Sequence, residues 1–181
     1  MSENQKKIWI TGASSGIGKA VAEKFAAQGW KVAVSARRKE ILDELATNKN
    51  IESFPLDITN RSQINIVFDN IIKEFGGLDL CLFSSGTYEP KDEQNIDPDK
   101  IKNVIVVNFL GVIDCVKAVE NFFKNKKSGH ISIVSSIAGY RGLPNSSGYG
   151  PSKAALTNFS ESIYFDFKKF GVRVSIISPG F

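Results

Sequence analysis

Tyr149 and Lys153 are the two residues of this sequence best suited by type and spacing to proton transfer. They stand four residues apart at the start of a predicted helix, so their side chains lie on one face, a turn apart. An ammonium beside a phenol favours the phenolate and lowers the phenol pKa from its reference value of about 10. Such a tyrosine can exchange a proton with a carbonyl or alcohol oxygen near neutral pH. The alternative is an ordinary surface pair on a helix, which the spacing alone does not exclude.

A glycine-rich segment follows the first apolar run of the chain, and its residue types suit phosphate binding. It lies between a predicted strand and a predicted helix and reads Thr11-Gly12-Ala13-Ser14-Ser15-Gly16-Ile17-Gly18. Glycines allow a sharp turn and bring backbone N–H groups against a pyrophosphate, which the helix N-terminus also attracts. Tight turns need glycine in any case. It is therefore the position between the first strand and the first helix that favours a dinucleotide site.

The end of the second predicted strand carries two arginines, Arg37 and Arg38. A dinucleotide with a free 2′-hydroxyl calls for an acidic residue at this point, whereas a 2′-phosphate calls for arginine. Two guanidinium groups can bind a phosphate by charge and by paired hydrogen bonds. The alternative, a solvated helix start, is less favourable because positive charge is disfavoured at a helix N-terminus. The sequence therefore predicts NADP(H) rather than NAD(H).

Short apolar runs alternate with longer segments of helical periodicity, and these elements must position the residues named above. The predicted strands are Lys7–Thr11, Val32–Ala36, Ile51–Leu56, Leu78–Phe83, Ile131–Val134 and Val172–Ile177. The predicted helices are Gly16–Gln28, Lys39–Thr47, Ser62–Phe75, Asp97–Lys126 with a break near Asn108–Gly111, and Ser152–Phe170. Apolar strands separated by helices indicate a parallel sheet covered on both faces. We therefore expect an α/β fold, a doubly wound parallel sheet in three α/β/α layers, with strand order 3-2-1-4-5-6.

Composition narrows the class of protein. The chain has 181 residues, of which 42% are hydrophobic, and a formal net charge of +4, which suits one domain over residues 1–181. It has no basic block and no stretch long enough to span a bilayer, so we expect neither a nucleic-acid nor a membrane partner. Cys81 and Cys115 suggest no disulfide framework, and the N-terminus has no signal-peptide pattern. We predict a cytoplasmic protein without a metal site.

Together these motifs resemble those of the short-chain dehydrogenase/reductase family of Rossmann-fold oxidoreductases. The segment Thr11–Gly18 matches the family's cofactor motif, and Asp57-Ile58 stands where the family contacts adenine. By position alone, Asp57 could equally cap the helix that begins nearby. The remaining matches follow in the family's order and spacing, and they are Asn108, Ser136, Tyr149, Lys153 and, after Ser178, the pair Pro179-Gly180 that backs the nicotinamide.

The resemblance implies a catalytic tetrad. Ser136 would bind the substrate carbonyl oxygen, and Tyr149 would donate the proton as hydride arrives from the nicotinamide. Lys153 would bind the nicotinamide ribose and favour the phenolate of Tyr149, while Asn108 would hold the water that relays protons to solvent. The implied activity is hydride transfer between NADP(H) and a small-molecule carbonyl or alcohol, namely a ketone or secondary alcohol. The candidates for the substrate pocket are Tyr88, Tyr140, Arg141, Leu143 and Pro144.

The sequence departs from the family's pattern at two places. Phe83-Ser84-Ser85-Gly86 replaces the usual Asn-Asn-Ala-Gly, while the glycine and the small residues keep room for the adenosine ribose. The asparagines usually join the central strands, so either Ser84 substitutes for them or the site is looser. The chain also stops at Phe181, where the family continues with a substrate loop and a last strand. We expect a truncated sequence. The alternatives are a partner subunit that completes the site and a non-catalytic nucleotide-binding protein that acts as a redox sensor.

The family resemblance also implies a homodimer or homotetramer. Tyr164 and Phe165 lie off the apolar stripe of the last helix, and Phe122 and Phe123 add aromatic residues to the preceding one. Exposed aromatic residues are typical of subunit interfaces. We therefore predict that these four residues lie on the surface.

Overall fold

A computed structural model of the chain describes residues 5–90 and 95–180. The described residues form a six-stranded sheet with the order β3-β2-β1-β4-β5-β6. All neighbouring strands are parallel. The strands are β1 Lys7–Thr11, β2 Lys31–Ser35, β3 Ile51–Ser53, β4 Leu80–Phe83, β5 Gly129–Val134 and β6 Val172–Ile177. The predicted strand order and the parallel, doubly wound architecture are confirmed.

Helices cover both faces of this sheet. They are α1 Gly16–Ala27, α2 Lys39–Leu45, α3 Arg61–Phe75, α4 Pro98–Ile105, α5 Gly111–Lys126 and α6 Tyr149–Lys168. A π-helical turn at Val106–Leu110 joins α4 to α5, and a 3₁₀ turn at Ile137–Gly139 follows β5. In the part of the chain that the structure describes, no helix combines the length and the apolar character that a membrane crossing requires.

The core lies in two layers because successive side chains of a strand point to opposite faces of the sheet. Ile8 and Ile10 of β1 pack with residues of α1 and α2, whereas Trp9 packs with residues of α3, α5 and α6. The Trp9 ring stacks on Phe68, and its Nε1 donates a hydrogen bond of 3.0 Å to Ser35 Oγ. The buried indole N–H is thus satisfied, as a polar group in a core must be.

The largest boundary shifts are at the third strand and the last helix. The third strand ends at Ser53 instead of Leu56, although the backbone N–H groups of Phe54 and Leu56 still donate to the carbonyl oxygens of Val34 and Ala36, at 2.9 and 3.0 Å. The last helix begins at Tyr149 instead of Ser152, with Pro151 in the first turn, where a missing N–H costs no hydrogen bond. The long segment from Asp97 to Lys126 does break near Asn108, and the break is the π-helical turn.

The four aromatic residues proposed for the surface divide into two groups. Phe165 is 65% exposed and Tyr164 is 37% exposed. Phe123 is fully buried, and Phe122 packs between Phe68 and Phe123 at the edge of the core. The prediction of aromatic surface on α5 is therefore wrong for Phe123, because this part of α5 turns toward the sheet.

Candidate active site

A cleft of about 860 Å³ lies at the carboxyl ends of the parallel strands. Open α/β sheets bind their ligands in this position, because the loops that follow the strands meet there. Ser136 lines the cleft together with every residue predicted to bind the cofactor, namely Gly12, Ser14, Ser15, Gly16, Ile17, Gly18, Arg37, Arg38, Asp57, Ile58, Ser85, Gly86, Tyr149, Lys153, Pro179 and Gly180. The fold therefore brings these residues together. The role of each one stays a prediction.

Gly12 and Gly18 of the glycine-rich turn lie against the segment that follows β4, with no space for a side chain at either position. Gly12 has φ +72°, and a Cβ atom on it would lie 2.7 Å from the backbone nitrogen of Ser85. A Cβ on Gly18 would lie 2.4 Å from the carbonyl oxygen of Gly12 and 2.7 Å from Ser84 Oγ. This close approach leaves the N-terminus of α1 open to the cleft with no acidic residue in its first turn. Such a helix end attracts an anion.

Ser84 joins the two central strands where the family has an asparagine. Its Oγ donates a hydrogen bond of 2.6 Å to the carbonyl oxygen of Thr11, and its backbone N–H donates to the same oxygen at 3.3 Å. Thr11 ends β1 and Ser84 follows β4, so these bonds continue the pairing of the strands into the cleft. Ser84 therefore supplies a link of the kind that the sequence required of it.

Both arginines at the end of β2 are exposed and line the cleft. The Nη2 atom of Arg38 donates to Ser14 Oγ at 2.9 Å and to the Ser14 carbonyl oxygen at 3.3 Å. Arg38 thus lies against the glycine-rich turn, and Arg37 precedes it in the same loop. The positive charge is placed where the adenosine end of a dinucleotide meets the second strand in this fold class.

Asp57 holds the loop that follows β3. Its Oδ1 accepts hydrogen bonds from the backbone N–H of Thr59 at 2.9 Å and from Thr59 Oγ1 at 2.8 Å. The N-cap of α3 is Asn60, whose Oδ1 accepts from the backbone N–H of Gln63 at 3.1 Å. The alternative that Asp57 caps this helix is therefore wrong, because the helix begins later than that alternative requires.

Lys153 is a charged side chain in a nearly closed environment. The residue is 3% exposed, its Nζ donates to the Val134 carbonyl oxygen at 2.9 Å, and the same atom lies 5.6 Å from the centre of the Tyr149 ring. Burial lowers the pKa of Lys153 from 10.5 to about 8, because removal from water disfavours the ammonium. At neutral pH the side chain is still predominantly charged, so it places a cation beside Tyr149.

Tyr149 begins α6 and lines the cleft. Its ring stacks on the ring of Tyr88, with the centroids 4.4 Å apart and the ring planes inclined by 30°. The Tyr88 hydroxyl accepts a hydrogen bond of 3.4 Å from Ser146 Oγ. Ser136, at the start of the 3₁₀ turn, also lines the cleft, and its Oγ accepts from the backbone N–H of Ala138 at 3.2 Å.

Asn108 lies in the π-helical turn, fully buried behind the cleft. Its Oδ1 accepts from the Thr87 N–H at 2.7 Å, and its Nδ2 donates to the Thr87 carbonyl oxygen at 2.9 Å. Nδ2 is also 3.2 Å from Ser152 Oγ, which itself donates to the Tyr149 carbonyl oxygen at 2.7 Å. A Cβ atom on Gly86 would lie 3.5 Å from both Asn108 Oδ1 and Lys153 Nζ. Asn108 and Lys153 therefore both lie next to Gly86.

The structure changes part of the predicted substrate pocket. Tyr88 and Leu143 line the cleft, whereas Tyr140 is 69% exposed and contacts Ser178 Oγ through its hydroxyl, at 3.2 Å. Arg141 and Pro144 are not among the lining residues. Sequence reasoning missed three serines. Ser146 lines the cleft, Ser152 bonds Asn108, and the buried Ser135 donates to the Lys153 carbonyl oxygen at 2.9 Å. No signal in the sequence distinguishes them from other serines.

Comparison with known proteins places this geometry in context. A family model described as short chain dehydrogenase matches residues 6–181. An oxidoreductase of Myxococcus xanthus is 34% identical over 95% of this chain and 70% of its own length. Another, from Staphylococcus saprophyticus, is also 34% identical, over 99% of this chain and 80% of its own length.

Solved structures show the same fold. A short-chain dehydrogenase from Streptomyces avermitilis superposes with a TM-score of 0.90 at 30% identity, over 99% of this chain and 66% of that protein. The structure of ElxO with NADP bound superposes with a TM-score of 0.89 at 27% identity, over 97% of this chain and 73% of that one. The chain therefore spans about two thirds to four fifths of the length of these similar proteins.

Proposed function

The chain belongs to the short chain dehydrogenase family, and we propose that it transfers hydride between NADP(H) and a ketone or secondary alcohol. The observation that carries this proposal is the single cleft that holds Tyr149, Lys153 and Ser136 together with the glycine-rich turn. The group of Tyr149, Lys153 and Ser136 alone, or the glycine-rich turn alone, would have an ordinary structural explanation. A proton donor beside a buried ammonium, in the same cleft as a phosphate cradle, is the set of groups that this reaction needs.

The residues that line the cleft fit a nicotinamide dinucleotide. The turn at Gly12 and Gly18 has no room for side chains, and it opens the N-terminus of α1 to a pyrophosphate. Arg37 and Arg38 supply positive charge for a 2′-phosphate, which is why we propose NADP(H) rather than NAD(H). ElxO, whose solved structure contains NADP, supports the same choice by similarity. When bound, this cofactor would supply the hydride for reduction or take it up in oxidation.

The chain's own residues would bind the substrate and move the proton. Ser136 Oγ would donate a hydrogen bond to the carbonyl oxygen, and the Tyr149 hydroxyl would give that oxygen a proton during reduction or remove it during oxidation. The Lys153 ammonium, held by the Val134 carbonyl oxygen, would stabilise the phenolate that the transfer leaves behind. Asn108, buried behind Lys153, would order the path by which protons reach solvent.

The partners and the location belong to the same proposal. We propose a neutral small-molecule carbonyl or alcohol as substrate and a homodimer or homotetramer as the assembled state. The exposed aromatic pair Tyr164 and Phe165 supports self-association. Cys81 and Cys115 are free and buried, which is compatible with a reducing, cytoplasmic environment.

The test separates cofactor binding from proton transfer. Tyr149→Phe removes only the hydroxyl, so we expect it to lower turnover at least 100-fold, as loss of a general acid does. The Kd for NADPH, followed by cofactor fluorescence, should change by less than about threefold, because interactions that position the dinucleotide remain. Tyr164→Phe, an exposed tyrosine on the same helix, is the matched control and should behave like the wild type.

Two outcomes would contradict the proposal in different ways. Retained turnover in Tyr149→Phe would remove Tyr149 as the acid. NADPH binding without turnover of any ketone or alcohol by the wild-type chain would favour a non-catalytic nucleotide-binding protein.

A further inference from the structure

Tyr88 lies directly beside the proposed acid and still presents surface to solvent. Its ring stacks on Tyr149 at a centroid distance of 4.4 Å, and 38% of the residue is exposed. Both residues line the same cleft. A substrate whose carbonyl oxygen reaches the Tyr149 hydroxyl within this cleft therefore brings its substituents close to Tyr88.

A closed path of contacts holds Tyr88 in this position. Asn108 bonds both backbone groups of Thr87, the residue before Tyr88, at 2.7 and 2.9 Å. Asn108 also donates to Ser152 Oγ, and Ser152 donates to the carbonyl oxygen of Tyr149. Asn108 and Ser152 are fully buried, so the bond between them forms away from water, where hydrogen bonds are electrostatically stronger. Tyr88 and Tyr149 are thus connected both through their stacked rings and through hydrogen bonds to the backbone, so the position of Tyr88 is fixed relative to Tyr149.

The described residues that line the cleft around Tyr88 carry little charge. Arg37, Arg38 and Asp57 follow β2 and β3, in the other half of the sheet. Among the described residues that line the cleft after β4 and β5, Lys153 is the one charged side chain, and it is nearly buried. The remaining side chains are those of serine, threonine and tyrosine, which carry hydroxyl groups, or apolar side chains such as that of Leu143. This half of the cleft therefore suits an uncharged substrate.

From these contacts we infer that Tyr88 is a specificity-determining residue, which favours neutral ketones, and the corresponding alcohols, that carry a flat aromatic substituent next to the carbonyl. The inference rests on the proposed function for the position of the reacting oxygen. Aromatic rings attract one another in offset or edge-to-face arrangements beyond the area that they bury. A saturated ring of the same size buries a similar area without that attraction. A comparison of an aromatic with a saturated substituent therefore isolates the attraction between aromatic rings.

The experiment compares acetophenone with cyclohexyl methyl ketone, as reduced by the wild type, Tyr88→Leu and Tyr88→Phe with NADPH. The measured quantity is the ratio of kcat/KM for the aromatic ketone to kcat/KM for the saturated one. We expect this ratio to fall about 3- to 10-fold in Tyr88→Leu, as loss of an aromatic contact predicts, and to stay within about twofold in Tyr88→Phe. Because both ketones meet the same protein sample, a loss of folded protein cancels from the ratio.

Binding of the same two ketones, measured by competition in saturation-transfer NMR, does not require turnover. The wild type should bind acetophenone more tightly than cyclohexyl methyl ketone, and Tyr88→Leu should bind the two with similar affinity. Selective binding without reduction would contradict the proposed reaction and support the role of Tyr88. Three results would overturn the inference. The wild type could bind both ketones with equal affinity, or the kcat/KM ratio could be unchanged in Tyr88→Leu. In the third, Tyr88→Leu would raise kcat/KM equally for both ketones, as expected if Tyr88 only blocked access to the cleft.

Discussion

Two of the site's charged residues stand in opposite environments, and each is placed for a different task. Lys153 is 3% exposed, and burial lowers its pKa to about 8. Arg38 is exposed and bonds Ser14 in the glycine-rich turn, where it remains available to a phosphate. Burial makes the charge on Lys153 costly and hence sensitive to pH, whereas the guanidinium of Arg38 remains exposed to solvent.

The stability of the protein should reflect the cost of that buried charge. The unfolded chain keeps the Lys153 pKa near 10.5, so between pH 8 and 10.5 it binds more protons than the folded chain. The free energy of unfolding should therefore rise with pH across this window, by up to about 3 kcal/mol, and this contribution should be absent below pH 8. Urea denaturation of the wild type and Lys153→Met from pH 7 to 10.5 measures it as the pH-dependent part of their difference.

Lys169→Met removes an exposed lysine paired with Asp166 and is the matched control, since its profile should parallel that of the wild type. A Lys153→Met profile that also runs parallel to the wild type would contradict the buried ammonium.

The arginine pair should distinguish the two nicotinamide cofactors. Replacement of Arg37 and Arg38 by alanine removes two donors for a 2′-phosphate, and hydrogen bonds to charged groups contribute about 1.5–3 kcal/mol each. We expect the Kd for NADPH to rise at least about 100-fold and the Kd for NADH to change less than about threefold, as measured by fluorescence titration. Lys39→Ala removes a neighbouring positive charge that pairs with Asp43 and should affect neither Kd strongly. Equal losses for both cofactors would refute the 2′-phosphate assignment.

At the scale of the elements, the site is formed by two turns between elements and by the start of one helix. The turn from β1 to α1 packs on the end of β4 through Gly12, Gly18 and Ser84. The π-helical turn between α4 and α5 aims Asn108 at the segment that follows β4. Tyr149 is the first residue of α6, and Lys153 follows one turn later. A π-helical turn inside a helix often occurs at a functional site, because its extra residue redirects a side chain.

Gly18→Ala should disrupt the packing of the turn between β1 and α1 on the end of β4. The new Cβ would lie 2.4 Å from the Gly12 carbonyl oxygen and 2.7 Å from Ser84 Oγ, so the start of α1 must move away from both. We expect a loss of about 1–3 kcal/mol in the free energy of unfolding, as for other overpacked sites, together with weaker NADPH binding. Gly142→Ala is the control, because no atom lies within 4 Å of its Cβ position. Urea denaturation and fluorescence titration measure the two effects, and a Gly18→Ala protein with unchanged stability and affinity would contradict the tight packing.

At the scale of the whole molecule, the parallel sheet is what assembles the site. Because all six strands run in the same direction, the loops that follow them meet at one edge and form a single cleft. Residues at the amino ends of the strands lie away from this cleft. His130, near the amino end of β5, forms a hydrogen bond of 2.8 Å with Ser175 Oγ and does not line the cleft.

Self-association is a property of the whole molecule and can be tested at one exposed residue. Phe165 is 65% exposed and packs edge-on against Tyr164, with the ring centroids 5.3 Å apart. We expect sedimentation of the wild type to show a dimer or tetramer, and Phe165→Ser to lower the assembled fraction, since apolar aromatic area drives association. Ile96→Ser, at a residue that is 84% exposed, should leave assembly unchanged. A monomeric wild type at tens of micromolar would refute the proposed oligomer.

Much of this protein is determined by local features of its sequence. Hydrophobic periodicity predicts the order of strands and helices, and the parallel crossovers then lead to the observed strand order. The glycine-rich turn and the spacing of Tyr149 and Lys153 are equally local. A glycine permits backbone conformations that other residues rarely adopt, and residues four apart on a helix share a face.

The tertiary structure alone decides what distant segments do to one another. It links Ser84 to Thr11, bonds Asn108 to Thr87 and Ser152, and stacks Tyr88 on Tyr149. It also sets the pKa of Lys153, because burial depends on every element that covers the side chain. These contacts join residues that are far apart in the chain, and no local pattern of residue types specifies which of several serines or tyrosines will meet. The physical reason is that packing and desolvation are properties of the assembled fold.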